Sequence, residues 1–272
     1  MIRDPAVAGS FYPGSEKSLS SMIEKCIEKE KEKVDVKGIV VPHAGYAYSG
    51  KAAGAVYSKI NFPDTFVILG PNHTGMGSAF SMMPDGVWST PLGRVNIDSI
   101  LAEKIFVNSK YLEEEILAHV SEHSVEVQLP FMQYFSGNFQ FVPVTIRHYI
   151  ADENYLKICT SIGKSIAKGI KMLKEKVVIV ASSDFSHYEP QEVANKNDNF
   201  AIEAILKLDE KELFKRVRER DISMCGYGPV AIMISACKEL GATKGELVKY
   251  MTSGDVTGDY GAVVGYGGII VK

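Results

Sequence analysis

Short runs of consecutive apolar, mostly β-branched residues alternate along the chain with longer stretches whose apolar positions recur every three or four residues. "GIVVP", "TFVILGP", "FQFVPVTI" and "KVVIVASSDF" are runs of the first kind. They lack polar alternation, which is the pattern of strands buried on both faces. In residues 16–31, Leu19, Met22, Ile23, Cys26 and Ile27 share one face with charges opposite, which predicts a surface helix packed on a core. Further helices are expected near 50–60, 98–108, 122–136, 152–173, 191–207, 209–219 and 228–240, before a closing Gly-rich strand, "GAVVGYGGIIV". The alternation predicts an α/β fold with a central, mostly parallel sheet flanked by helices. No Pro/Gly/Ser-rich linker separates two patterned halves, so residues 1–272 read as a single domain.

Composition narrows the class of function. A formal charge of −3 gives no basic field that would gather phosphate backbones, and the Lys-rich run after Cys26 is matched by its own glutamates, so nucleic acid is not the expected partner. No window reaches about 18 consecutive apolar residues, and "MIRDPAVAGSFYPG" lacks the pattern of a signal peptide. A cytoplasmic protein without a membrane partner is expected. Cys26, Cys159, Cys225 and Cys237 form no CxxC pair and are expected to be reduced thiols.

In open α/β sheets ligands bind beyond the carboxyl ends of the strands. "GIVVP" delivers His43, "FVILGPN" delivers His73, and "VVIVASS" delivers Asp184 and His187. Parallel strands would set these histidines along one rim. A lone loop histidine is as often a satisfied turn residue as a functional one; two at neighbouring strand ends point to metal, for which neutral imidazole is the commonest ligand. Gly45 would give the His43 turn room. Cys225, in "SMCGYGPVA" before a helical pattern, is the best third donor, since a helix N-terminus favours thiolate. Two imidazoles and a thiolate suit iron, copper or zinc and disfavour magnesium or calcium.

Asp184 and His187 stand three residues apart, where a carboxylate can fix the tautomer of a general acid/base or of a metal ligand. The bland alternative is an aspartate capping the next turn. His123 has Glu126 one helical turn later, although Ser121 capping an ordinary helix start accounts for that stretch equally well. His119 and His148 have no supporting neighbours, and Cys159 and Cys237 fall inside helical patterns as small apolar residues.

"VVPHAGYAYSG", "ILGPNH", "TPLG", "EHSVEVQLPF", "SSDFSHY" and "CGYGPVA" occur in this order. In these motifs, from "AVAGSFYPG" to the C-terminus, the chain resembles the MEMO family, called AmmeMemoRadiSam system protein B in archaea and bacteria. The resemblance implies the fold of class III extradiol non-haem iron dioxygenases. It places metal ligands on His43, His73 and Cys225 and an acid/base pair on Asp184 and His187. It also departs from those dioxygenases, which use a carboxylate where this chain has Cys225; a thiolate donates more electron density and is itself oxidisable. Eukaryotic relatives carry tryptophan where "GSFY" places Phe11 and are associated with phosphotyrosine peptides; the phenyl ring keeps the aromatic surface without the indole N–H.

Two main readings follow. In the first, a mononuclear Fe(II), with copper or zinc as alternatives, sits on His43, His73 and Cys225. His187, oriented by Asp184, moves a proton in a dioxygenase-like redox reaction on a small, phenolic substrate, in a pocket lined by Phe11, Tyr46, Tyr48 and His123. In the second, the cleft is a non-catalytic metal- or peptide-binding module that serves a radical-SAM partner. A third reading, a thiol hydrolase with Cys225 as nucleophile, ranks last because the chain has no nucleophile elbow. Oligomeric state is not legible in the sequence.

Overall fold

The computed structural model describes residues 1–28, 32–173 and 175–272. Four parallel strands form its centre in the order Gln140–Arg147, Thr65–Asn72, Val177–Ser182, Gly38–Val41. Each corresponds to one of the apolar runs. Alternate residues of these runs enter opposite cores. Ile39, Val41, Phe66, Ile68, Val178 and Val180 pack on one face with the helices Glu16–Cys26, Tyr46–Lys59 and Leu129–Phe135. Val40, Val67, Leu69, Ile179 and Ala181 pack on the other with Glu153–Lys171 and Tyr227–Glu239. A fully buried aliphatic or phenyl side chain contributes about 1.5–3 kcal/mol, so both faces are strongly driven inward.

The sheet becomes antiparallel toward its edges. Val263–Val271, the predicted closing strand, pairs antiparallel with Gly38–Val41 and carries Gly245–Thr252 and His187–Glu189 as further antiparallel partners. On the opposite side the hairpin Val87–Thr90/Gly93–Ile97 leads to the two-residue strand Ile2–Arg3.

Several expectations move. The first helix ends at Cys26, where Ile27 is extended; residues 29–31 of the expected helix lie outside the described residues. The segment expected as a helix over 122–136 becomes a short 3₁₀ turn, Glu126–Gln128, followed by Leu129–Phe135 with Pro130 in its first turn. Residues 122–125 are therefore not helical, although the His123 and Val125 carbonyls accept the Val127 (3.0 Å) and Gln128 (3.2 Å) N–H groups, and Ser124 lies against the sheet. The helices after Asp98, Asp152 and Asp209 begin where those carboxylates accept the backbone N–H three residues on. Among the described residues no helix is long and apolar enough to cross a membrane.

Candidate metal centre

The parallel centre of the sheet brings three strand ends to one edge. His43 follows the strand end at Val41 by two residues, His73 directly follows Asn72, and Ser183 and Asp184 directly follow Ser182. Gly70 lets a fourth piece of chain approach, because a Cβ there would overlap the Ser124 side chain. Gly226 does the same for Cys225, since a Cβ would run into Ser183. At Gly45 an added side chain would meet only ordinary contacts, so the room expected there is supplied at Gly70 and Gly226 instead.

The result is a compact cluster. One ring nitrogen from each of His43, His73 and His123 lies within 4.8 Å of the others, a set that could bind a metal ion. Ring centroids are 5.1 Å apart for His43 and His73, 5.5 Å for His43 and His123, and 4.6 Å for His73 and His123, the last pair nearly parallel at 22°. Cys225 Sγ stands 3.3 Å from His43 Nε2.

Hydrogen bonds fix how the rings are presented. Ser182 Oγ donates its proton to the Ser124 carbonyl (2.6 Å), so its 2.9 Å contact with His43 Nδ1 is one in which the ring donates. The lone pair of His43 is thereby placed on Nε2, toward Cys225. Gln128 Nε2 donates to the same hydroxyl (2.9 Å) and to Pro42 O (3.0 Å), bracing the strand end. His73 Nδ1 lies 2.9 Å from Glu122 Oε1, and a carboxylate only accepts, so Nδ1 is the donor and the neutral tautomer carries its lone pair on Nε2. Glu122 accepts the backbone N–H groups of His73 (2.5 Å), His123 (2.9 Å) and Ser124 (2.9 Å) as well. Burial alone would raise its pKa; the bonds and charges from His73 and His123 overcome that and hold it at about 2.

Burial, reinforced by the neighbouring imidazoles, pushes His43 well below the ordinary histidine range, and burial takes His123 down to about 4. Both rings are therefore neutral, with lone pairs available, at neutral pH. Cys225 behaves differently from expectation. Its thiol is raised, first by burial and then by the charge of Asp184. The sulfur faces the Asp184 carbonyl at 3.6 Å, while the Gly226 N–H at the helix start donates to Ser183 Oγ (3.1 Å) rather than to sulfur. Without a cation Cys225 is a thiol.

The Asp184/His187 pair also divides. Asp184, buried, accepts the backbone N–H groups of His43 (2.8 Å) and Ala44 (3.3 Å), and burial lifts its pKa to about 6. It anchors the His43 turn. His187 is oriented by Ser223 instead: its backbone N–H donates to Ser223 Oγ and its Nδ1 to the Ser223 carbonyl, both at 2.8 Å. That leaves His187 Nε2 as the basic nitrogen.

Of the four residues expected around a substrate, Phe11 lies with its ring centroid 4.6 Å from that of His123, and Tyr48 is 45% exposed. Tyr46 is a correction. It is buried, donates to the Val127 carbonyl (2.6 Å) and packs on Phe131, so its hydroxyl is spent inside the core. Glu126 is not a partner of His123 in the expected sense. It is fully buried, paired with Arg3, and accepts from Tyr12 Oη (2.6 Å) and the Ala6 (2.8 Å) and Val7 (3.1 Å) N–H groups. His119 is a core residue, with Nε2 at 3.1 Å from Ser81 Oγ. Glu122 and Ser223 escaped the sequence reading; an acidic residue beside His123 was the one visible signal.

Comparison with known proteins agrees with the motifs. The family model described as "Memo-like protein" matches residues 3–270. A MEMO1 family protein of Methanococcoides burtonii is 48% identical over 273 aligned residues, covering 100% of both chains. One from Methanopyrus kandleri is 44% identical over 286 aligned residues, covering 100% of this chain and 99% of the relative. The fold is similar to the crystal structure of an uncharacterized Escherichia coli K12 protein, with a TM-score of 0.57 at 11% identity, over 86% of this chain and 99% of the other. With nearly every residue matched and relatives well above 40% identity along their full length, the chain belongs to the Memo-like (MEMO1) protein family.

Proposed function

We propose that this protein holds a single redox-active metal ion through His43, His73 and the thiolate of Cys225, and that it acts as a non-haem oxidoreductase, dioxygenase-like, on a small phenolic substrate. The observation that carries the reading is the convergence of donors. The buried imidazole of His43 and the more exposed one of His73 have Nδ1 committed to Ser182 and Glu122, and the Nε2 of His43 is 3.3 Å from a thiol sulfur. Ligating histidines that donate their other N–H to an acceptor are the usual form of a metal site.

The donor set favours Fe(II), with copper or zinc as the other occupants it accepts, over magnesium or calcium. A bound ion would supply Lewis acidity and, for iron or copper, one-electron chemistry. The rest falls to the chain. Binding replaces the Cys225 thiol proton, because the ligand is the thiolate. Asp184 keeps the His43 turn in register through its two backbone bonds. His187, with Nδ1 tied to Ser223, offers Nε2 to accept a phenolic proton. Phe11 and the exposed Tyr48 supply aromatic walls.

Anaerobic purification followed by elemental analysis tests this. About one ion per chain, lost in Cys225→Ala and His73→Ala, supports the site; unchanged metal in both variants rejects it. Oxygen uptake on a panel of catechols and phenols, abolished in His187→Ala with metal retained, supports the activity; metal bound with no turnover leaves the binding-module reading.

A further inference from the structure

We infer that His123 is a third imidazole ligand of the same ion, so that the protein's donor set is three nitrogens and one sulfur, with Glu122 the carboxylate that holds the His73 ring and the His123 backbone together. The inference rests on the metal-site reading above and extends it to a residue outside the two-histidine, one-cysteine set.

Four observations converge on His123. Its ring nitrogen belongs to the cluster that falls within 4.8 Å with those of His43 and His73, close to the roughly 4.2 Å spanned by two opposed metal–nitrogen bonds. Glu122 Oε1, which receives His73 Nδ1 at 2.9 Å, also accepts the His123 backbone N–H at 2.9 Å and lies 3.4 Å from His123 Nδ1, so one carboxylate stands beside both residues. The two rings stand nearly parallel, 22° apart, as side-by-side ligands oriented by one group would. Finally, the segment is pinned on every side. Arg3 donates to the Glu122 carbonyl (2.7 Å), Ser124 Oγ donates to the Pro71 carbonyl (2.8 Å), and Ser182 Oγ donates to the Ser124 carbonyl (2.6 Å).

The ring itself packs against both His73 and Phe11, each with its centroid 4.6 Å away. A general acid that must swing toward substrate gains nothing from such confinement; a ligand does, since a donor already in place loses little side-chain entropy on binding.

The test uses the full chain, stripped of metal and reloaded with Cd(II) alone, with ring nitrogens isotopically labelled, and reads cadmium–nitrogen scalar couplings by NMR. Direct couplings to Nε2 of His43, His73 and His123 are expected. His123→Gln should keep the couplings of His43 and His73 and weaken Cd(II) affinity at least tenfold; Glu122→Gln should weaken it on the order of tenfold to a hundredfold. Couplings from His43 and His73 alone in the wild type would overturn the role of His123 while leaving the two-histidine, one-cysteine site standing. No coupling to any of the three rings would overturn both. The wild-type spectrum decides even if a variant fails to fold.

Discussion

Arg3 shows how much of the site depends on one residue far from it in sequence. Its guanidinium pairs with Glu126, donates to the His119 (2.9 Å) and Glu122 (2.7 Å) carbonyls, and lies 4.1 Å from the Trp88 ring centroid. Glu126, fully buried, would be left as an unpaired charge by Arg3→Met. Breaking a buried pair by removing one partner costs about 3–5 kcal/mol. Urea denaturation of the metal-free protein should show a loss of that order, and the double variant Arg3→Met/Glu126→Gln should recover part of it. An Arg3→Met protein as stable as wild type would show that the pair adds nothing to the fold. At this scale the sequence showed His43, His73 and His187 because each follows an apolar run directly. Glu122 and Ser223 were hidden because their partners lie 49 and 36 residues away in the chain, and no local pattern encodes such a contact. The protonation of Cys225 was misread for the same reason: the helix start was visible, the burial of the sulfur and the Asp184 charge beside it were not.

Among the elements, the strand Thr65–Asn72 and the non-helical segment before Glu126 must lie against each other for His73 and His123 to meet. Gly70 is the contact that permits it. Gly70→Ala would drive a methyl into the buried Ser124 side chain, whose hydroxyl is held by the Pro71 carbonyl. Overpacking of this kind costs about 1–3 kcal/mol. Thermal unfolding should register that loss together with weaker metal binding, whereas Gly137→Ala, with open space around the added Cβ, should change neither. Equal behaviour of the two variants would remove Gly70 from the account. The central strands were legible because runs buried on both faces leave no other reading. The hairpin Val87–Gly93–Ile97 and the strand Gly245–Thr252 were not, since their partly exposed residues carry weak patterns and are held by pairing with distant strands. The helix expected to start at 122 failed for a stated cause: the Glu122 carboxylate gathers the N–H groups of His123 and Ser124 into a loop.

For the molecule as a whole, buried titratable groups make the stability of the metal-free protein depend on pH. His119 and His123 have folded pKa values near 4 against 6.5 for a free histidine, and His43 is lowered as well, in each case first by burial. The unfolded chain therefore binds more protons between those values, and stability falls as pH drops from about 6.5 to about 4. Asp184 works against this trend, because its pKa of about 6 is raised above 3.8 and the folded state gains its proton first. Asp198, raised by burial as well, adds to Asp184, but three histidines outweigh two aspartates, so the urea midpoint should fall over that interval, and Glu122, held near 2 against 4.5, should add to the loss below about pH 4.5. A midpoint constant or rising on acidification would mean the rings are not neutral in the folded state. The same neutrality is what keeps the His43 and His123 imidazoles ready as ligands. The central claim, a metal held by histidine and by Cys225, is tested most directly by anaerobic titration of the metal-free full chain with Co(II), followed by absorption spectroscopy. The account predicts saturation at one ion per chain with a sulfur-to-cobalt charge-transfer band in the near ultraviolet that is absent in Cys225→Ser. Saturable binding without that band, or no binding at all, would contradict it.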